Sequence, residues 1–199
     1  FWSNIAIFEV LAMAYQLEKR SLSITTQYFQ GLTQLPHIHP HLEMVYLTEG
    51  CSTAMVDYHN FPMEKGDLFL SFPNQIHFYH DSVPTAGYLF IFSPDFFKEL
   101  NEIFQKKIPS SPVIKGELLP PDILTLLEQI LVKNNADTFL GKITSKGYLL
   151  ALLGEILQAM TLVPKVSGND SIKNILTYCS EHYMEPLCLD QLSRELHLS

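Results

Sequence analysis

Residues 31 to 50, GLTQLPHIHPHLEMVYLTEG, set His37, His39, His41 and Glu43 within seven positions. Imidazole nitrogens and a carboxylate oxygen are the donors that hold Zn, Ni, Mn or Fe. The same groups recognise hydroxyls and carboxylates through hydrogen bonds. The run therefore predicts either a divalent metal centre or a polar pocket for a small molecule, and its composition leaves both open. On a continuous strand, His37, His39, His41 and Glu43 share one parity and face one side, with Pro40 as the point of a bend. Downstream, GDLFLSFPNQIHFYH supplies His77, which a turn at Pro73-Asn74 returns toward the same interior. Tyr28 and Tyr79 are the aromatic residues expected to line the pocket beside His37, His39, Glu43 and His77. Tyr46, Phe72 and Phe90 read as core, and His41, His59 and His80 as rim or surface residues.

Strands must position these groups. From 21 to 92, short runs rich in β-branched and aromatic residues (SLSITTQYF, LEMVYLTEG, CSTAMVDYHN, DLFLSF, AGYLFIFS) are broken by turn residues roughly every ten positions. That spacing predicts a sandwich or small barrel. After 93 the period changes to helical. SPDFFKELNEIFQKK opens with Ser93 as N-cap and Pro94 at the first helical position, and 120–134 carries Leu124, Leu127 and Leu131 on one stripe. The segment 137–163 is the longest expected helix. Residues 164–170, PKVSGND, have linker composition. In 171–199, Ile172, Ile175, Leu176, Cys179 and Tyr183 form one apolar helical face, Pro186 stops it, and Leu189, Leu192 and Leu196 begin a second short helix.

The bulk composition narrows the partners. A chain of 199 residues with 47% apolar and 17% charged residues can bury one sizeable core. Its net charge of −8 argues against a large nucleic-acid footprint on this part, since phosphate contacts need clustered Lys and Arg. Cys51, Cys179 and Cys188 share no C-x-x-C spacing, which suits a reducing, cytoplasmic setting. The longest apolar stretch, 148–163, is too short for a membrane span and is broken by Glu155 and Gln158. Residues 1–20 lack the positive start of a signal peptide and read as a docking helix.

The spacing Gly31, His37-x-His39, Glu43, Gly50 resembles the first motif of the cupin barrels at every position. Gly66 to His77 resembles the second motif, one residue shorter and without its glycine. The tail resembles the opening of the AraC-family DNA-binding domain. In that pattern Leu189, Leu192, Ser193, Leu198 and Ser199 fall on the first helix of a helix-turn-helix and its turn, with Ser193 at a position where alanine is usual. The resemblance implies a mainly β plus α protein: a double-stranded β-helix (cupin) barrel over 21–92, a helical dimerisation segment over 93–163, a linker, and the first helices of a DNA reader over 171–199. It also implies a small polar effector in the barrel, operator DNA read by a recognition helix beyond Ser199, no catalysis and no membrane. A homodimer is expected on the 137–163 helix through Leu149, Leu150, Leu153, Ile156, Leu157 and Met160. The rival reading is a metal-dependent cupin oxygenase or isomerase with His37, His39, Glu43 and His77 as ligands.

Overall fold

The alternation of apolar and polar residues before 93 forms strands because branched and aromatic side chains pack well on a pleated, half-buried surface. The structure is a computed structural model that describes residues 16–17, 24–165, 174–175, 178, 182 and 188–195. Its strands are β1 (Gln16–Leu17), β2 (Thr25–Gln30), β3 (Gln34–Ile38), β4 (Leu42–Glu49), β5 (Cys51–Val56), β6 (His59–Glu64), β7 (Leu68–Ser71), β8 (His77–Asp81) and β9 (Ala86–Phe92), followed by the short β10 (Lys107–Pro109), β11 (Val113–Ile114) and β12 (Leu162–Pro164). They build two five-stranded sheets, ordered β1-β3-β8-β5-β6 and β11-β7-β4-β9-β2, and a β10-β12 ribbon. The inner faces meet in a core of Phe29, Val45, Leu47, Ala54, Phe69 and Tyr79.

Even-numbered residues of β4 point the other way. Met44 joins Leu70 and Phe90 on the outer face of the second sheet, where helices cover it. These helices are α1 (Asn101–Lys106), α2 (Ile123–Asn135) and α3 (Phe139–Ala159), and α4 (Leu189–Glu195) lies in the tail. Every residue of β7 is buried because the sheet is covered on both faces. Thr138 starts α3 by accepting a hydrogen bond from the Gly141 amide at 3.0 Å. Gly50 ends β4 in a left-handed conformation, φ 77°, and a Cβ there would lie 2.2 Å from the Pro84 carbonyl oxygen. Only glycine fits that turn.

Several expectations change. The N-terminal helix over 1–20 falls outside the described residues except at Gln16–Leu17, which form a strand parallel to β3. Ser93 does cap the next segment, but two 3-10 turns (Pro94–Phe96 and Lys98–Leu100) precede α1. Phe97 separates them because its ring is buried against Phe92 and its backbone leaves the helical region, φ −124°. The stretch 93–163 is not purely helical, since it contributes β10, β11 and most of β12.

The dimerisation residues also need correction. Leu149, Leu153 and Ile156 are fully buried within the protomer, and Leu150, Leu157 and Met160 pack against the same core. Leu149, Leu153 and Ile156 are thus used in seating α3 on α2 and the sheet, while Leu150, Leu157 and Met160 stay partly exposed. The large apolar residues that α3 leaves exposed are Phe139, Leu140, Ile143 and Tyr148. Beyond Lys165 the linker lies outside the described residues, as do Leu198 and Ser199; the helix expected from Ile172 is described only at isolated positions. No helix among the described residues is long and apolar enough to cross a membrane.

Candidate functional site

The histidine-rich run is not one strand. β3 ends at Ile38 in one sheet and β4 starts at Leu42 in the other, so His39-Pro40-His41 carries the chain across. His37 comes from β3, His39 from the crossing and Glu43 from β4. His77 comes from β8, directly opposite His37 in the β3–β8 register. The second motif lacks its usual glycine, and Asn74 takes the left-handed conformation in the β7–β8 turn, φ 65°. Asparagine tolerates that region better than most residues. The Asn74 amide then donates to the His39 carbonyl at 2.9 Å and pins the crossing to the turn.

One donor atom from each of His37, His39, Glu43 and His77 lies within 4.8 Å of the others. All four side chains are at most 1% exposed. Nδ1 of each ring faces a backbone carbonyl: Leu35 for His37 at 2.9 Å, His41 for His39 at 3.2 Å and Gln75 for His77 at 2.9 Å. A carbonyl only accepts, so each Nδ1 carries the proton, and a neutral ring then presents its Nε2 lone pair. All three Nε2 atoms point at the Glu43 carboxylate, at 3.8 Å from His37, 3.2 Å from His39 and 3.6 Å from His77. Tyr79 donates its hydroxyl to the same carboxylate, at 2.7 Å from Oε1.

Lone pairs facing an anion in a sealed interior repel unless positive charge stands between them. Protonated imidazoles or one cation would supply it. Burial pushes the Glu43 carboxyl up, but the surrounding His37, His39 and His77 rings favour its charged form, outweigh burial and hold it well below the usual range. Burial holds His77 below the ordinary imidazole value despite the pull of Glu43, with His37 and His39 adding to the depression. Burial, with the Glu43 charge and hydrogen bond, pushes Tyr79 well up. An ionised carboxylate, a neutral His77 and Nδ1 atoms tied to carbonyls are the state that metal ligands and their supporting shell adopt. The donor set fits a divalent cation. Three imidazoles and one carboxylate suit Zn, Ni, Mn or Fe.

Tyr79 meets the cluster through Glu43, and His59 and His80 are exposed. Two expectations fail. His41 is buried, with its ring 5.8 Å from that of His39, because the crossing is enclosed between the sheets instead of lying at a rim. Tyr28 is 47% exposed and packs edge-on against Tyr88 on the outer face of the barrel. Its neighbour Phe29 takes the inward place, since successive residues of β2 face opposite sides. Sequence reasoning missed Ser71. It pairs with Glu43 in the β4–β7 register and brings a fully buried hydroxyl, without a hydrogen-bond partner among the described residues, to the same inner face. A lone serine in the apolar run LFLSF was the available signal.

Comparison with known proteins adds a family. The AraC-like ligand binding domain matches residues 22–161. ToxT from Vibrio cholerae superimposes with a TM-score of 0.54 at 9% identity, covering 89% of this chain and 72% of its own. A second structure of ToxT, from Vibrio cholerae strain SCE256 with an unsaturated fatty acid bound, gives a TM-score of 0.50 at 10% identity and covers 90% of this chain and 71% of its own. At such identities the likeness concerns the fold. No curated protein matches the chain.

Proposed function

The chain belongs to the AraC-like ligand-binding family, and from that premise we propose that it is the effector-sensing region of a transcription regulator whose DNA reader begins in residues 171–199. The observation that carries this reading is the order of parts. A ligand-binding domain over 22–161 leads through the β10-β12 ribbon to α4, whose Leu189, Leu192 and Ser193 fit the start of a helix-turn-helix. A small molecule that binds one arrangement of barrel and reader better than another shifts the equilibrium by that difference in affinity. The bound unsaturated fatty acid in a ToxT structure supports a small molecule as the class of effector. The setting is the cytoplasm, where operator DNA is reached.

In this reading His37, His39, Glu43 and His77 hold a divalent cation that supplies the positive charge their geometry demands. The cupin-enzyme alternative needs coordination positions that substrate can reach. Ligands at most 1% exposed, closed over by Tyr79 and Phe69, favour a structural or sensing ion instead. The regulator works as a homodimer through the part of α3 that the protomer does not bury, where Phe139 is 78% and Leu140 71% exposed. Selection of bound sequences from a random duplex pool, with the whole gene product, tests the reading. Enrichment of one site with two half-sites is expected. No enriched sequence, together with turnover of an oxidisable or isomerisable substrate by the metal-loaded protein, would replace the regulator with the enzyme.

A further inference from the structure

Glu43 has a neighbour on either side in its own sheet. In the register of β4 it pairs with Ser71 of β7 on one flank and with Ile91 of β9 on the other. Residues directly opposite one another in an antiparallel pair face the same way, with Cβ atoms about 4.5–5.5 Å apart. Both neighbours therefore look into the barrel beside the carboxylate, and both are buried, Ser71 completely. One flank is apolar. The other carries a hydroxyl.

That hydroxyl is unusual by composition and by bonding. Serine is mostly a surface residue, yet Ser71 ends a strand whose other members, Leu68, Phe69 and Leu70, are apolar and buried. Phe69, two residues earlier on the same inner face, fills its place with a ring 6.1 Å from that of His77. A serine fills far less of that face. Its Oγ has no hydrogen-bond partner among the described residues, and a buried hydroxyl left unpaired is costly. The carboxylate beside it is already engaged at both oxygens. Oε1 takes the Tyr79 proton at 2.7 Å, and Oε2 faces Nε2 of His39 at 3.2 Å.

Resting on the reading that His37, His39, Glu43 and His77 hold a divalent cation, we infer that the cation carries one further, exchangeable ligand, a water molecule or a small anion, and that Ser71 binds it. Four protein donors complete the shell of tetrahedral zinc but leave positions open on six-coordinate Mn or Fe. Of the two residues that flank Glu43 in its sheet, Ser71 alone offers such a ligand a hydrogen bond. Its hydroxyl donates to an anion or accepts from water. The enclosure sets the size. Protein ligands at most 1% exposed admit a molecule of one to three heavy atoms by local opening and exclude a substrate-sized one.

Cobalt(II) and azide are the probes, because the visible absorption of cobalt weakens as its coordination number rises above four. The 199-residue chain loaded with Co(II) is expected to show the weak bands of a five- or six-coordinate ion, and azide to shift them saturably. Benzoate, the same charge on a larger body, should leave them unchanged. Ser71→Ala is expected to keep the cobalt affinity, measured against a competing chelator, and to weaken azide about tenfold, the loss of one hydrogen bond to a charged ligand. Ile91→Val changes volume on the other flank without touching a polar group and should leave azide affinity unaltered. Intense four-coordinate bands indifferent to azide, an equal response to benzoate, or the same azide affinity in parent and Ser71→Ala overturn the inference while the cation stands. So does an equal loss in Ile91→Val. Failure to bind cobalt at all overturns the cation together with its ligand, and selection on DNA decides the regulator reading separately.

Discussion

Glu43→Gln separates the two sources of positive charge that the barrel centre can use. The carboxylate accepts from Tyr79 at 2.7 Å and faces three imidazole nitrogens at 3.2–3.8 Å while only 1% exposed. A glutamine keeps the shape and removes the charge. Its carbonyl accepts the Tyr79 proton, and its amide donates to the Nε2 of His39, so the metal-free variant loses no hydrogen bond. Stability without metal is expected to stay within about 1 kcal/mol of the parent. Metal-dependent stabilisation is expected to vanish. A cation at a hundred times its dissociation constant contributes about 2.7 kcal/mol. At roughly 2–4 °C per kcal/mol for a chain of this size, that is a rise of roughly 5–10 °C in Tm. Differential scanning calorimetry of both proteins, with EDTA and then with excess Zn, Ni or Mn, measures each term. An equal metal-induced rise in parent and variant would refute Glu43 as a ligand. A loss above about 3 kcal/mol in the metal-free variant would show that the carboxylate pairs with an imidazolium, as breaking a buried ion pair requires.

Other outcomes follow from the packing. Asp81 ties β8 to the loop before β3, accepting from the Leu32 amide at 2.6 Å, the Thr33 amide at 3.1 Å and the Thr85 hydroxyl at 2.8 Å. Burial raises its pKa, but these bonds, with that from Ser52, hold it below the usual carboxylate value, so its stabilisation is complete above the unfolded pKa of about 3.9 and fades as pH falls through the folded one. Asp81→Asn should cost about 1 kcal/mol at pH 7, and the gap in Tm should close below about pH 4; a gap unchanged at pH 3 would contradict this origin. Leu153→Ala, at a fully buried site, is expected to cost about 2–5 kcal/mol in urea unfolding without altering the sedimentation coefficient. Phe139→Glu with Leu140→Glu is expected to give monomers by sedimentation with stability within about 0.5 kcal/mol of the parent protomer, and a persistent dimer would move the interface elsewhere.

Much of this was legible in residue types and spacing. The period-two pattern and turn residues marked the strands, and the His-x-His and Glu43 spacing marked the cluster. Its geometry was not, because parity arguments assume a continuous strand and the chain changes sheets at Pro40. That change, invisible to local periodicity, is why His41 is enclosed. Tyr28 failed for a related reason: two adjacent aromatics, Tyr28 and Phe29, compete for one inward place, and nothing local decides between them. The leucines of α3 were read as a dimer surface, whereas Leu149 and Leu153 are buried within the protomer. Periodicity does not say whether the surface that buries them belongs to the same protomer.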